Sequence, residues 1–107
     1  MKLKDELLAE LEQIPGVAHV PYPDRDDGFS GLTFRGEDIG HFHHFNEIDL
    51  KLGKRLIKRE GLKPYPDSKN HPKRSANSQY IEVRFHSTRD LSKVVRLVEQ
   101  LVGELAK

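Results

Sequence analysis

No cysteine occurs among the 107 residues. Disulfides, zinc thiolates and a cysteine nucleophile are excluded at once, and a reducing cytoplasm is the compartment that fits. No apolar run approaches the ~20 residues of a membrane span. The opening residues carry Asp5, Glu6 and Glu10 where a secretory leader needs an apolar stretch. The expected location is therefore cytoplasmic, with no membrane partner. An excess of either charge is lacking too: 18 Lys and Arg stand against 17 Asp and Glu. No strong global field draws the chain to nucleic acid or anionic lipid. There is no glycine-rich phosphate loop and no internal repeat.

What is present is a chain of 33% charged and 36% hydrophobic residues. That composition and length suit one domain over residues 1–107 with one small core, a sheet face covered by a few helices. Leu3, Leu7, Leu8, Leu11 and Ile14 fall at helical spacing, and Pro15-Gly16 stops that helix. Val17 to Tyr22 reads as an edge strand limited by Pro21 and Pro23. Asp24 to Gly28 is a turn. The stretch from Phe29 to Phe45 reads as a β-hairpin: Leu32 and Phe34 alternate with Gly31, Thr33 and Arg35. With Gly36-Glu37 as its two-residue loop, Leu32, Phe34, Ile39 and His41 would share one face.

Ile48, Leu50 and Leu52 alternate once more and then give way to a short helix through Leu56 and Ile57, with Gly61 as its C′ residue. Lys63 to Gln79 is a long polar loop without apolar period, expected to be mobile or functional. Tyr80 to Phe85 is the clearest strand. Ser87-Thr88-Arg89-Asp90 has the capping-box pattern and opens a last helix. There Leu91, Val94, Val95, Val98, Leu101, Val102 and Leu105 make a wide apolar stripe. The predicted fold is α+β, a mostly antiparallel sheet with helices mainly on one face. The element order is α-β-β-β-α-β-α, with room for one more short strand near Ile48 to Leu52.

With these segments placed, the chain resembles the small luciferase-like domain family. Ile14-Pro15-Gly16-Val17 is similar to the Pro-Gly-Val that follows the family's first helix. Asp38-Ile39-Gly40-His41-Phe42-His43 resembles its Glu-Ile/Leu-Gly-His-Leu-His strand. Ile48-Asp49-Leu50, followed by a basic helix ending in Glu60-Gly61, resembles its Asp-Leu-Pro segment. Ser78 to Val83, together with Ser87 to Asp90, resembles its Ser-Gly-Trp strand and Ser-x-x-Asp helix start. The sequence departs at Asp38, where the family prefers Glu, at Tyr80 in place of Trp, and at Gln79 in place of Gly. The resemblance implies the fold and a site on the Gly-His-x-His strand. It does not by itself carry a light-emitting activity to this chain.

The chemistry-bearing residues centre on His41 and His43. Strand alternation puts both imidazoles on one face, with His44 on the other. Two histidines so placed can begin a metal site, with a third ligand from His71, Asp49, Asp38 or His86. The favoured alternative is a half-buried His41 bonded to backbone or to Asp38, with His43 a surface residue, so no metal or cofactor is assigned. Asp38 is a general base or an orienting partner for an imidazole. Asp49 is a helix cap or, by the resemblance, a site residue. Tyr80 packs or stacks on a ligand. Ser78 has no visible triad partners. Asp38, His41, His43, Asp49, His71 and Tyr80 are thus the ligand-binding candidates. Lys51, Lys54, Arg55, Lys58, Arg59, Lys63, Lys69, Lys73 and Arg74 form a basic side. The favoured expectation is a ligand-binding or regulatory domain whose small-molecule pocket lies at the histidine strand. The alternatives are an enzyme using His41 and His43 as acid–base residues or metal ligands, and a basic-face binder of nucleic acid or protein.

Overall fold

The computed structural model describes residues 2–65 and 78–107. In chain order the elements are α1 (Lys2–Leu11), β1 (Val17–Val20), β2 (Ser30–Phe34), β3 (Glu37–His43), β4 (Glu47–Leu50), α2 (Lys54–Arg59), β5 (Ile81–Arg84) and α3 (Thr88–Leu105). The five strands form one antiparallel sheet in the order β1-β2-β3-β4-β5. The fold is the α+β arrangement expected, and the extra short strand near Ile48 is β4.

Alternation along the strands separates two chemically different faces. Val17, Leu32, Phe34, Phe42, Ile48, Leu50, Ile81 and Val83 join one core. They pack there with Leu7 and Leu11 of α1, Leu56 and Ile57 of α2, and Leu91, Val94, Leu97, Val98 and Leu101 of α3. Of the α3 stripe predicted from spacing, Leu91, Val94, Val98 and Leu101 cover the sheet, whereas Leu105 is exposed and Leu97, outside that stripe, is buried. Each fully buried aliphatic side chain of α3 contributes about 1.5–3 kcal/mol relative to exposure.

The opposite face is polar. Pairing across all five strands lines up Val20, Gly31, His41, Asp49 and Glu82 in one transverse row. His43, Glu47 and Arg84 occupy the next row. The element that could neutralise this face within the sheet is the mixture of charges itself: Arg84 Nε stands 3.6 Å from Glu47 Oε1.

Two further details depart from the sequence reading. The hairpin turn is Arg35-Gly36 rather than Gly36-Glu37, so Phe34 pairs with Glu37. Both turn residues take positive φ, 52° at Arg35 and 84° at Gly36. That is the combination whose twist matches paired strands. The register then shifts between Leu32 and Thr33, so that Thr33 pairs with Asp38 and Leu32 with Gly40. This bulge absorbs Ile39. His41 consequently lies opposite Gly31, not Leu32, and belongs to the polar face rather than to the face of Leu32 and Phe34. The second departure is at the start of α3. Ser87 is the N-cap residue but its hydroxyl makes no capping bond. Instead Asp90 Oδ2 accepts a hydrogen bond from His86 N at 2.8 Å, satisfying a donor one residue before the cap.

Candidate functional site

The geometry of the polar face follows from β3 and β4. A His-x-His sequence on β3 projects two imidazoles to one side, and the antiparallel register sets Asp49 directly across from His41. His41 Nε2 lies 3.4 Å from Asp49 Oδ2. The two imidazole rings sit edge to face with centroids 4.7 Å apart. One ligating atom from each of His41, His43 and Asp49 falls within 4.8 Å of the others. Asp49 is 1% exposed and its row neighbour Glu82 is 4% exposed, whereas the His41 side chain keeps 24% of its surface open. The cluster therefore has a buried carboxylate floor and an accessible imidazole edge.

Gly40 makes this approach possible. A Cβ at that position would lie 2.6 Å from the Asp49 carbonyl oxygen and 3.2 Å from Leu50 Cδ2. Any side chain there would push β4 away from β3 at the residue pair next to His41 and Asp49. The glycine of the Gly-His-x-His segment is thus a packing requirement of the site.

Aromatic groups wall the cluster. The Phe29 ring is 5.5 Å from the His41 ring and 5.8 Å from the His43 ring, centroid to centroid. Tyr80 lies 6.2 Å from His41 on the other flank, and its hydroxyl points to Asp38 Oδ2 at 3.4 Å. Tyr65 covers the Arg84 end: its hydroxyl accepts a hydrogen bond from Arg84 N at 3.3 Å, and its ring stacks 4.0 Å from the guanidinium carbon.

Of the residues picked from sequence, His41, His43 and Asp49 come together, and Tyr80 borders them. Asp38 stands at the exposed rim, connected through Tyr80 rather than through an imidazole. His71 and most of the 63–79 loop fall outside the described residues. His86 is engaged elsewhere, its Nδ1 3.3 Å from Asn46 Nδ2, and His44 lies in the exposed turn after β3. Three site residues were missed from sequence: Phe29, Glu82 and Tyr65. Glu82 carries a legible signal, since it alternates with Ile81 and Val83 on the strand beside Asp49. Phe29 and Tyr65 lie in loops, where no periodicity marks them.

The basic side is partly neutralised within the fold. Arg55 bonds Glu104 at 2.7 Å, Arg59 lies 3.8 Å from the same carboxylate, and Arg96 bonds Glu60 at 2.8 Å. Comparison of the chain with family models, with curated proteins and with solved structures finds no match.

Proposed function

We propose that this domain holds a divalent transition-metal ion between His41, His43 and Asp49 and uses it to bind a small ligand on the polar face of the sheet. The observation that carries the reading is the mutual spacing of three ligating atoms on adjacent strands. Two imidazoles and one carboxylate are a donor set suited to zinc, iron or manganese, with coordination positions left over for water or a ligand. The 3.4 Å separation of His41 Nε2 and Asp49 Oδ2 supports it. It is longer than the ~2.7–2.9 Å of a charge-assisted hydrogen bond. It equals the edge of about 3.4 Å that joins two ligands of a tetrahedron with bonds of about 2.0–2.1 Å. The three ligating atoms lie within 4.8 Å of one another, so the His43 imidazole has to rotate toward the other two for all three to hold one ion. An ion held there supplies Lewis acidity to whatever oxygen or nitrogen donor joins it, and Phe29 and Tyr80 provide flat walls for the rest of that molecule.

Kinship with the luciferase-like domain family is part of this proposal and rests on the sequence segments that resemble it. A binding or regulatory domain and a metal-dependent enzyme both use such a centre. Calorimetric titration of metal-free protein with zinc tests the reading, alongside absorption spectra of the cobalt(II) form. One ion per chain in wild type, with loss of binding in both His43→Ala and Asp49→Asn, is expected. Unchanged zinc affinity in the two variants would reject the site.

A further inference from the structure

A second site lies at one end of the sheet, where α1 meets β1 and the loop before β2. A cavity of about 220 Å³ opens there, lined by Lys4, His19, Tyr22, Phe29, Ser30 and Phe45 among others. That is below the range of about 300–1,000 Å³ typical of drug-sized ligands, so a fragment-sized occupant fits.

Lys4 is the reason to assign a ligand. It projects from α1 and is only 9% exposed, an unusual position for a lysine. Its Nζ donates to the Gly28 carbonyl at 2.8 Å and lies 4.9 Å from the Phe42 ring centroid and 5.9 Å from that of Phe45. An ammonium has three donors, and among the described residues one carbonyl and two ring faces meet it, with no anion in contact. The nearby Arg25 does not share this condition, being paired with Asp27. Burial lowers the Lys4 pKa, with Asp5 and Asp27 opposing at longer range.

Ser30 supplies an independent observation. It is 3% exposed, and its Oγ is buried with no hydrogen-bond partner among the described residues; His19 Nε2 is in the same condition. Both residues line the cavity with Lys4. Buried hydroxyls and imidazole nitrogens are normally satisfied, and leaving them open costs stability. A cation, a hydroxyl and an imidazole around one small space match a carboxylate, which accepts from the ammonium, from the hydroxyl and from neutral His19 in its Nε2–H tautomer. The remaining walls are aromatic: Tyr22 and Phe29 meet edge to face with centroids 5.1 Å apart, and Phe45 is exposed beside them.

We infer that this cavity binds a small aromatic carboxylate, its carboxyl group held by Lys4, Ser30 and His19 and its ring among Tyr22, Phe29 and Phe45. The site is separate from the proposed metal centre and does not depend on it, although Phe29 borders both. The volume suits a free small molecule.

The experiment is a titration of the intact protein with benzoate, and in parallel with benzamide, followed by proton–nitrogen NMR. Benzoate is expected to give saturable shifts at His19, Ser30 and Phe45, with a dissociation constant on the order of millimolar for so small a ligand. Benzamide should bind about tenfold more weakly or worse, because it lacks the charge. Lys4→Met should remove benzoate binding. Ser30→Ala guards against a folding artefact: it removes an open hydroxyl, so it should melt at or above the wild-type temperature while binding benzoate more weakly. Any of three results overturns the proposal: no saturable shift at these residues, equal affinity for benzamide, or undiminished benzoate binding in a folded Lys4→Met or Ser30→Ala protein.

Discussion

His41 on β3 and Asp49 on β4 face each other across a register pair, Nε2 and Oδ2 3.4 Å apart. This contact exists because a bulge moves His41 onto the polar face and because Gly40 lets the two strands close up. Neither cause is a property of the two residues themselves. The site is built by backbone geometry at their neighbours, so substitutions that never touch an imidazole can disable it.

Gly40→Ala is the direct case. The added methyl would meet the Asp49 carbonyl oxygen at 2.6 Å, and backbone rather than a flexible side chain must give way. We expect a loss of about 1–3 kcal/mol in unfolding free energy, measured by urea denaturation. Zinc affinity should fall together with it. A Gly40→Ala protein with wild-type stability would show that β3 and β4 are not tightly apposed at this pair.

The sequence made the elements legible because each carries its own period. The α3 stripe, the Ile81-Val83-Phe85 alternation and the Gly61 helix stop are local signals, and all correspond to observed features; Gly61 has φ 67°. It also made His41 and His43 legible as a pair on one face, since alternation survives any shift of register. Which face they occupy was not legible. That depends on a turn at Arg35-Gly36 and on the bulge at Ile39, and arginine in a left-handed conformation advertises neither. Asp49 could be named as one possible partner for the histidines, but its selection over Asp38 and His86 required the β3–β4 register. Lys4 gave no signal, because a lysine between leucines on an amphipathic helix reads as a solvated residue.

Val98 lies at the centre of the helix-side core, fully buried in the cluster that includes Phe34, Val83 and Phe85. Val98→Asp would bring a carboxylate into that core with no partner. We expect destabilisation of about 4 kcal/mol or more, seen as a large drop in melting temperature. A variant that melts with the wild type would mean α3 is not the cover of the sheet.

His19 should give the protein a measurable pH dependence. Its pKa lies below the ordinary 6.5, chiefly because burial disfavours the charged ring and next because Lys4 is close, with Glu12 opposing. The unfolded chain therefore binds the proton more readily than the folded one. The folded state has its full contribution from neutral His19 above about pH 6.5 and loses it as pH falls from there through the lowered folded value. Unfolding free energies of wild type and His19→Gln, measured from pH 8 to pH 5, should diverge in slope below about 6.5, with the wild type falling more steeply. Parallel curves would show that His19 is solvated.

Metal binding should also register as stability, which separates a specific centre from stray imidazole contacts. A ligand that binds the folded chain alone stabilises it by RT ln(1 + [L]/Kd), about 2.7 kcal/mol at a hundred times Kd. Zinc at that excess should raise the wild-type melting temperature, and chelator should reverse the rise. In Asp49→Asn the oxygen donor remains but its charge is gone, so the ion loses its anionic ligand while the strand packing is kept. We expect that variant to show little or none of the zinc-dependent rise. In His44→Ala, altered in the exposed turn after β3, the full rise should persist, because that imidazole takes no part in the cluster. The contrast between these two substitutions is the measurement that matters. An equal rise in both would place the zinc elsewhere on the surface and leave His41, His43 and Asp49 as a polar contact of the sheet.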